Sequence, residues 1–165
     1  MADPDRPPAP AYLLAVDLGL RTGFALYGDD GRLRSYRSQN YGSLPRLRRG
    51  AAAVLNETAG LGYLLLEGGG AVAEVWEAEA ARRGLPVRTI GAERWRERLL
   101  YAREQRSGSK AKETADLLAR RIIDWSGAPR PTSLRHDAAE AILIGFWGVL
   151  ELGWLPAVPP EVRRG

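Results

Sequence analysis

The chain has no cysteine. Disulfides and thiolate metal sites are therefore excluded, and a reducing compartment is compatible. It holds one histidine and one methionine. Its longest apolar run falls well short of the roughly 18 residues that a membrane span needs. Residues 1–11 lack the apolar centre of a signal peptide and read as a disordered arm, so a cytoplasmic protein is expected. Lysine is nearly missing too: Lys110 and Lys112 are the only two, and the other 22 of the 24 basic residues are arginine.

What is present suits one folded domain. At 165 residues with 45% hydrophobic and 27% charged residues, the chain can bury a core without staples. The net charge is +4. If four of the 20 acids hold metal, basic groups outnumber the remaining acids by eight, which suits a polyanionic partner. Arginine preference set by genome composition would give the same count, so the arginines alone do not decide.

The pattern of apolar runs and breakers predicts five strands and five helices. Tyr12 to Val16 reads as a buried strand and Gly23 to Tyr27 as a second. The turn Gly28-Asp-Asp-Gly31 leads into a third, Arg32 to Arg37. A helix is expected over Leu44–Ala59, a strand ending at Glu67, a helix over Val72–Arg83 and a strand over Leu85–Ile90. Helices follow over Ala92–Tyr101, Lys110–Trp125 and Leu134–Leu152, with a polar loop over Arg103–Ser109. This is an α/β chain with a mixed sheet and helices on its faces. The domain is expected over residues 12–153, with a flexible tail over 154–165.

Acids stand where a core has no use for them. Asp17 ends the first apolar run and Glu67 ends Tyr63-Leu-Leu-Leu66, each followed closely by glycine. Asp137 and Glu140 open the last apolar helix, three residues apart and so on one helix face. A carboxylate at a strand end is partly desolvated, which costs several kcal/mol unless a positive charge is near. Two carboxylates at 4 Å repel by about 4 kcal/mol at an effective dielectric near 20. Four converging acids would need divalent cations, and oxygen-only ligation selects Mg²⁺ or Mn²⁺ over zinc. Bland readings exist for each: Asp137-x-x-Glu140 also fits a helix cap, Glu67 a turn residue, and His136 a capping histidine rather than a ligand or proton carrier. Trp147 has the spacing of a core residue, whereas Trp76 and Trp95 fit either packing or stacking on bases.

These residues resemble the RuvC-type Holliday-junction resolvases of the ribonuclease H-like superfamily, in the manner of a divergent or phage-like member. The resemblance rests on Asp17-Leu-Gly19 with Thr22-Gly-Phe24, on Glu67, on Gly108-Ser-Lys-Ala-Lys112-Glu, and on Asp137-Ala-Ala-Glu140-Ala141 before an apolar run. It spans residues 12 to 150. It implies a ribonuclease H-like mixed five-stranded sheet flanked by helices. It also implies an active site of Asp17, Glu67, Asp137 and Glu140 holding two Mg²⁺, with Mn²⁺ as a substitute; His136, beside Asp137 and four residues before Glu140, is a candidate auxiliary group from its position alone. The implied activity is hydrolysis of DNA phosphodiesters by a homodimer that cuts two strands of a four-way junction in recombination and repair. Lys110, Lys112, Arg103, Arg106 and Arg21 are the expected DNA contacts, with Arg94, Arg96 and Arg98 extending the cationic surface.

Three departures bear on that reading. The first loop is one residue shorter than in the commonest resolvases, and the fourth acid is Glu140 where aspartate is usual. The stretch from Glu67 to Pro86 is short and opens with three glycines, where typical resolvases carry an aromatic wedge and much of the dimer helix. A broader flap or branched-DNA nuclease and a non-catalytic branched-DNA-binding module of the same fold therefore stay open. The phosphate hairpin of actin-like ATPases and sugar kinases begins similarly, but those enzymes need two such domains.

Overall fold

A computed structural model describes residues 3–5, 11–101 and 108–163. In chain order the elements are β1 (Tyr12–Asp17), β2 (Arg21–Gly28), β3 (Leu33–Asn40), α1 (Leu44–Glu57), β4 (Leu61–Glu67), α2 (Gly70–Arg82) and β5 (Val87–Ile90). Four helices follow: α3 (Ala92–Leu99), α4 (Gly108–Ser126), α5 (His136–Glu151) and α6 (Pro160–Arg163). The sheet runs β3-β2-β1-β4-β5. β2 is antiparallel to β1 and β3, while β4 is parallel to β1 and β5. The mixed five-stranded sheet expected from the sequence is present.

Strand alternation sorts the core into two faces. Leu13, Ala15, Ala25, Tyr27 and Leu65 pack with α4 and α5, whereas Leu14, Val16, Phe24, Leu64 and Leu66 pack with residues of α1 and α2. Ser43 caps α1 by accepting from the Arg46 N–H, with Pro45 in the first turn. α5 is buried continuously from Ala138 to Leu150, because it is covered by the sheet on one side and by α3 and α4 on the other. Two glycines let it lie close to the strands. A Cβ on Gly145 would come 2.4 Å from the Tyr27 ring, and one on Gly148 would come 2.7 Å from a Leu65 methyl. The Tyr27 hydroxyl, otherwise sealed in the core, donates to the Ile142 carbonyl.

Several boundaries differ from expectation. β3 continues past Arg37 to Asn40, because Asn40 still pairs with Arg21; as an edge strand with a mostly polar face it lacks the apolar alternation that marks a boundary. α4 starts at Gly108 and takes in Ser109, which the sequence reading placed in a loop; residues 103–107 of that loop lie outside the described residues. Within residues 154–163, α6 forms over Pro160–Arg163. Leu155 and Val162 are buried, and Leu155 sits directly over Gly31.

Trp76 has no exposed surface and meets Phe24 edge-on at 5.7 Å. It therefore packs α2 onto the sheet and offers no face to a base. Trp76→Ala is expected to cost about 3–5 kcal/mol, lowering Tm by roughly 10 °C or more in thermal unfolding. A shift under 2 °C would contradict this placement.

Candidate metal centre and active site

Asp17 and Glu67 are brought together by pairing. β1 and β4 are parallel, with Asp17 opposite Glu67 at their ends. Alternation carries both side chains to the α5 face, in line with Ala15 and Leu65. The chain then leaves both strands at once: the Leu18 N–H donates to the Glu67 carbonyl at 3.1 Å, and Gly68 turns at a φ of +129°, which a larger residue rarely adopts. On the other side of β1, Asp17 pairs with Gly23 of β2. Beside it the buried Thr22 hydroxyl donates to the Gly19 carbonyl at 2.8 Å, which fixes the short connecting loop.

Gly23 explains how α5 reaches the acids. A Cβ at that position would lie 1.9 Å from the Asp137 carbonyl oxygen, so only glycine lets the first turn of α5 rest on β2. One turn further, Glu140 is buried and faces Asp17 and Glu67. These three each offer a carboxylate oxygen within 4.8 Å of the others. Asp137 does not join that tight group. It raises the proton affinity of both Asp17 and Glu140, and it lines an adjoining cleft with Arg21, Ser38, Gln39, Asn40 and Arg135. The helix-cap reading of Asp137 and Glu140 falls, because the N-cap of α5 is Arg135 and no side chain bonds there.

Two cations approach Glu140. His136 Nε2 lies 3.2 Å and Arg96 Nη2 3.9 Å from the same Glu140 oxygen, Oε1. Arg96 was expected on a cationic surface; instead it reaches inward from α3. The three arginines at alternate positions in that helix gave no sign of which one turns in, although its neighbour Trp95, which is buried, fixes the packed side. The charges are nevertheless unbalanced. Burial first, then repulsion from Glu67 and Glu140, push the Asp17 carboxyl up to about 9. Burial also raises Glu140, with Glu67 and Asp137 adding to it and His136 and Arg96 opposing.

Glu79 shows what a structural buried acid looks like here. It is bound by Arg82 at 3.0 Å and Arg83 at 2.8 Å, and Arg83 also reaches Asn56 of α1. That network ties α2 to α1. In the Asp17 cluster Glu140 has His136 and Arg96 beside it, but Asp17 and Glu67 make no ion pair among the described residues, and the donor set of carboxylate oxygens fits a hard divalent cation such as Mg²⁺ or Mn²⁺.

The expected DNA contacts are scattered. Lys110 and Lys112 are exposed near the start of α4, and Lys110 lines a cavity of about 480 Å³ with Tyr101, Arg121 and Arg163. Arg98 is engaged by Glu151 at 2.5 Å, Arg94 is exposed, and Arg21 is exposed at the start of β2. Arg103 and Arg106 lie outside the described residues. Trp95 and Trp147 are both core residues.

No family model matches the chain, and no curated protein matches it in sequence. Solved structures do match. RuvC of T. thermophilus, in complex with a Holliday junction substrate, is 17% identical with a TM-score of 0.59, covering 87% of this chain and 96% of that one. The large terminase nuclease from thermophilic phage G20c is 13% identical with a TM-score of 0.49, covering 86% and 84%. The chain thus has a ribonuclease H-like fold, and its divergence from RuvC in sequence is wide.

Proposed function

We propose that the protein is a divalent-metal-dependent, structure-selective DNA endonuclease that resolves four-way junctions, with each copy in a homodimer cutting one strand. The observation that carries this reading is the meeting of Asp17, Glu67 and Glu140 within 4.8 Å on a fold shared with RuvC. Asp17, Glu67, Glu140 and Asp137 would hold two Mg²⁺ or Mn²⁺ ions. When bound, such a pair supplies an activated water and stabilises the leaving oxygen of a phosphodiester.

The chain's own residues do the rest. Asp17 and Glu67 sit on paired strands, so their separation is fixed by the ladder rather than by side-chain freedom. Glu140 is oriented by His136 and Arg96, which meet a single oxygen and leave the other for a ligand. His136 has its side chain 43% exposed and its Nε2 3.2 Å from Glu140, which places it between the acid and solvent as an auxiliary group. Lys110, Lys112 and Arg21 supply cationic surface for phosphates.

A second reading, a broader flap or branched-DNA nuclease, is favoured by one observation. Trp76, the nearest tryptophan after Glu67, is buried in the core, so it offers no stacking surface for junction bases. Cleavage of a labelled four-way junction beside matched linear duplex and flap substrates, with Mg²⁺ or Mn²⁺, separates the two. Paired symmetric nicks on the junction alone support the resolvase. Equal cutting of flaps or duplex moves the assignment to the broader nuclease, and binding without cutting would leave a non-catalytic module.

A further inference from the structure

We propose that the cleft on the β3 side of the acidic cluster is a phosphate subsite, in which Arg21 and Arg135 hold the DNA phosphate next to the one being cut. This rests on the nuclease reading above and adds the path that the substrate strand takes. The cleft has a volume of about 340 Å³ and is lined by Arg21, Ser38, Gln39, Asn40, Arg135 and Asp137. At about 30 Å³ per water it has room for a sugar-phosphate unit.

Topology places it at the reactive end of the sheet. β2 is antiparallel to β1, so Arg21 at the start of β2 lies at the same end as Asp17 at the finish of β1. Gly23, opposite Asp17, is two residues from Arg21, about 7 Å along the strand. That step is comparable to the spacing of adjacent phosphates on a nucleic-acid strand. Asn40, opposite Arg21, closes the far side, and Arg135 immediately precedes α5. Asp137 lines the cleft and is close enough to Asp17 and Glu140 to raise the proton affinity of both, so the cleft adjoins the acidic cluster.

The lining is cationic and uncommitted. Arg21 and Arg135 are exposed and make no ion pair among the described residues. Arg34, Arg82, Arg83, Arg96, Arg98, Arg120 and Arg130 each pair with an acid. Two positive charges thus face one negative charge, Asp137. The sheltered Ser38 hydroxyl has no hydrogen-bond partner. Two guanidiniums without an ion pair, together with Ser38, Gln39 and Asn40, give the cleft a donor-rich lining suited to phosphate oxygens.

The test measures affinity for a labelled four-way junction in Ca²⁺ across a salt series. Wild type, Arg21→Gln, Arg135→Gln, the double Gln variant, Arg21→Lys and Arg135→Lys are compared. Each Gln variant is expected to weaken binding about tenfold at low salt and to reduce the log–log salt slope by about 0.9 per lost phosphate contact. Arg21→Lys and Arg135→Lys should retain much of both. The Mn²⁺-induced rise in Tm should be unchanged, showing that the acidic cluster is intact. Gln variants that bind with wild-type affinity and slope, while wild type still cuts DNA, overturn the subsite and leave the nuclease reading standing. A wild-type protein that neither binds nor cuts any DNA tested overturns both.

Discussion

Asp17→Asn is expected to abolish metal-dependent cleavage, by at least about a thousandfold, while leaving junction binding intact and making the metal-free protein more stable at pH 8. The loss of activity follows from position. Asp17 lies between Gly23 and Glu67 in the sheet and shares a group of carboxylate oxygens within 4.8 Å with Glu67 and Glu140, so the substitution removes the charge of one of the three acids proposed to hold metal. Losing a preorganised charge at a reacting centre costs on the order of 10²–10³ or more in rate. Binding persists because the phosphate contacts assigned above lie on other residues. Undiminished cleavage by this variant would remove the basis for the assignment.

The gain in stability separates a metal site from a structural acid. In the metal-free protein the Asp17 carboxyl is raised from 3.8 to about 9, so folding retains a proton that the unfolded chain has released. Stability from this group is then greatest below about pH 4 and falls as pH rises towards 9. Asparagine has no proton to lose, so the Tm advantage of the variant in EDTA should grow across that window and level off above it. At pH 8 an advantage of about 2 kcal/mol, roughly 4–8 °C, is expected by calorimetry. Added Mg²⁺ or Mn²⁺ should reverse the order, because a cation favours the ionised carboxylate and stabilises only the wild type. A variant less stable than wild type in EDTA at pH 8 would show that Asp17 is already compensated within the protein.

The sequence displayed the acids better than the geometry that unites them. Strand-end Asp17 and Glu67 were legible because each interrupts an apolar run where a core residue would do. Glu140 was visible only as a spacing, equally suited to a cap, until the helix start at His136 separated the two. Arg96 was hidden among evenly spaced arginines on a short helix, and its inward turn depends on Trp95 burying beside it. Helix ends and the edge strand were blurred for the same reason: exposed polar residues carry no periodicity to mark where hydrogen bonding stops. Of the arginine cleft the sequence offered only Arg21, as an expected DNA contact. Arg21, Ser38 and Arg135 are far apart in the chain and meet only through strand pairing and the docking of α5.

That docking makes Gly23 the most sensitive residue that carries no charge. A Cβ there would fall 1.9 Å from the Asp137 carbonyl oxygen and 2.4 Å from its carbon, whereas an ordinary C···O contact is about 3.3 Å. Both sides of the clash are backbone, so no rotamer relieves it, and α5 must lift by about 1 Å or more. Overpacking of this kind costs about 1–3 kcal/mol, which the protein should survive with a Tm lower by several degrees. The larger effect falls on activity, because the displaced turn carries Asp137 and Glu140 while Asp17 and Glu67 stay on the sheet. A 1 Å misplacement at a reacting centre costs about a hundredfold, so Gly23→Ala should fold, bind junctions and cut them about a hundred times more slowly. Its Mn²⁺-induced rise in Tm should shrink in parallel. Gly62→Ala is the matched control, since a Cβ there meets nothing closer than 3.6 Å and lies far from the acids along β4. If Gly23→Ala cleaves as fast as Gly62→Ala, the first turn of α5 does not set the geometry of the centre, and Glu140 must be held by His136 and Arg96 alone.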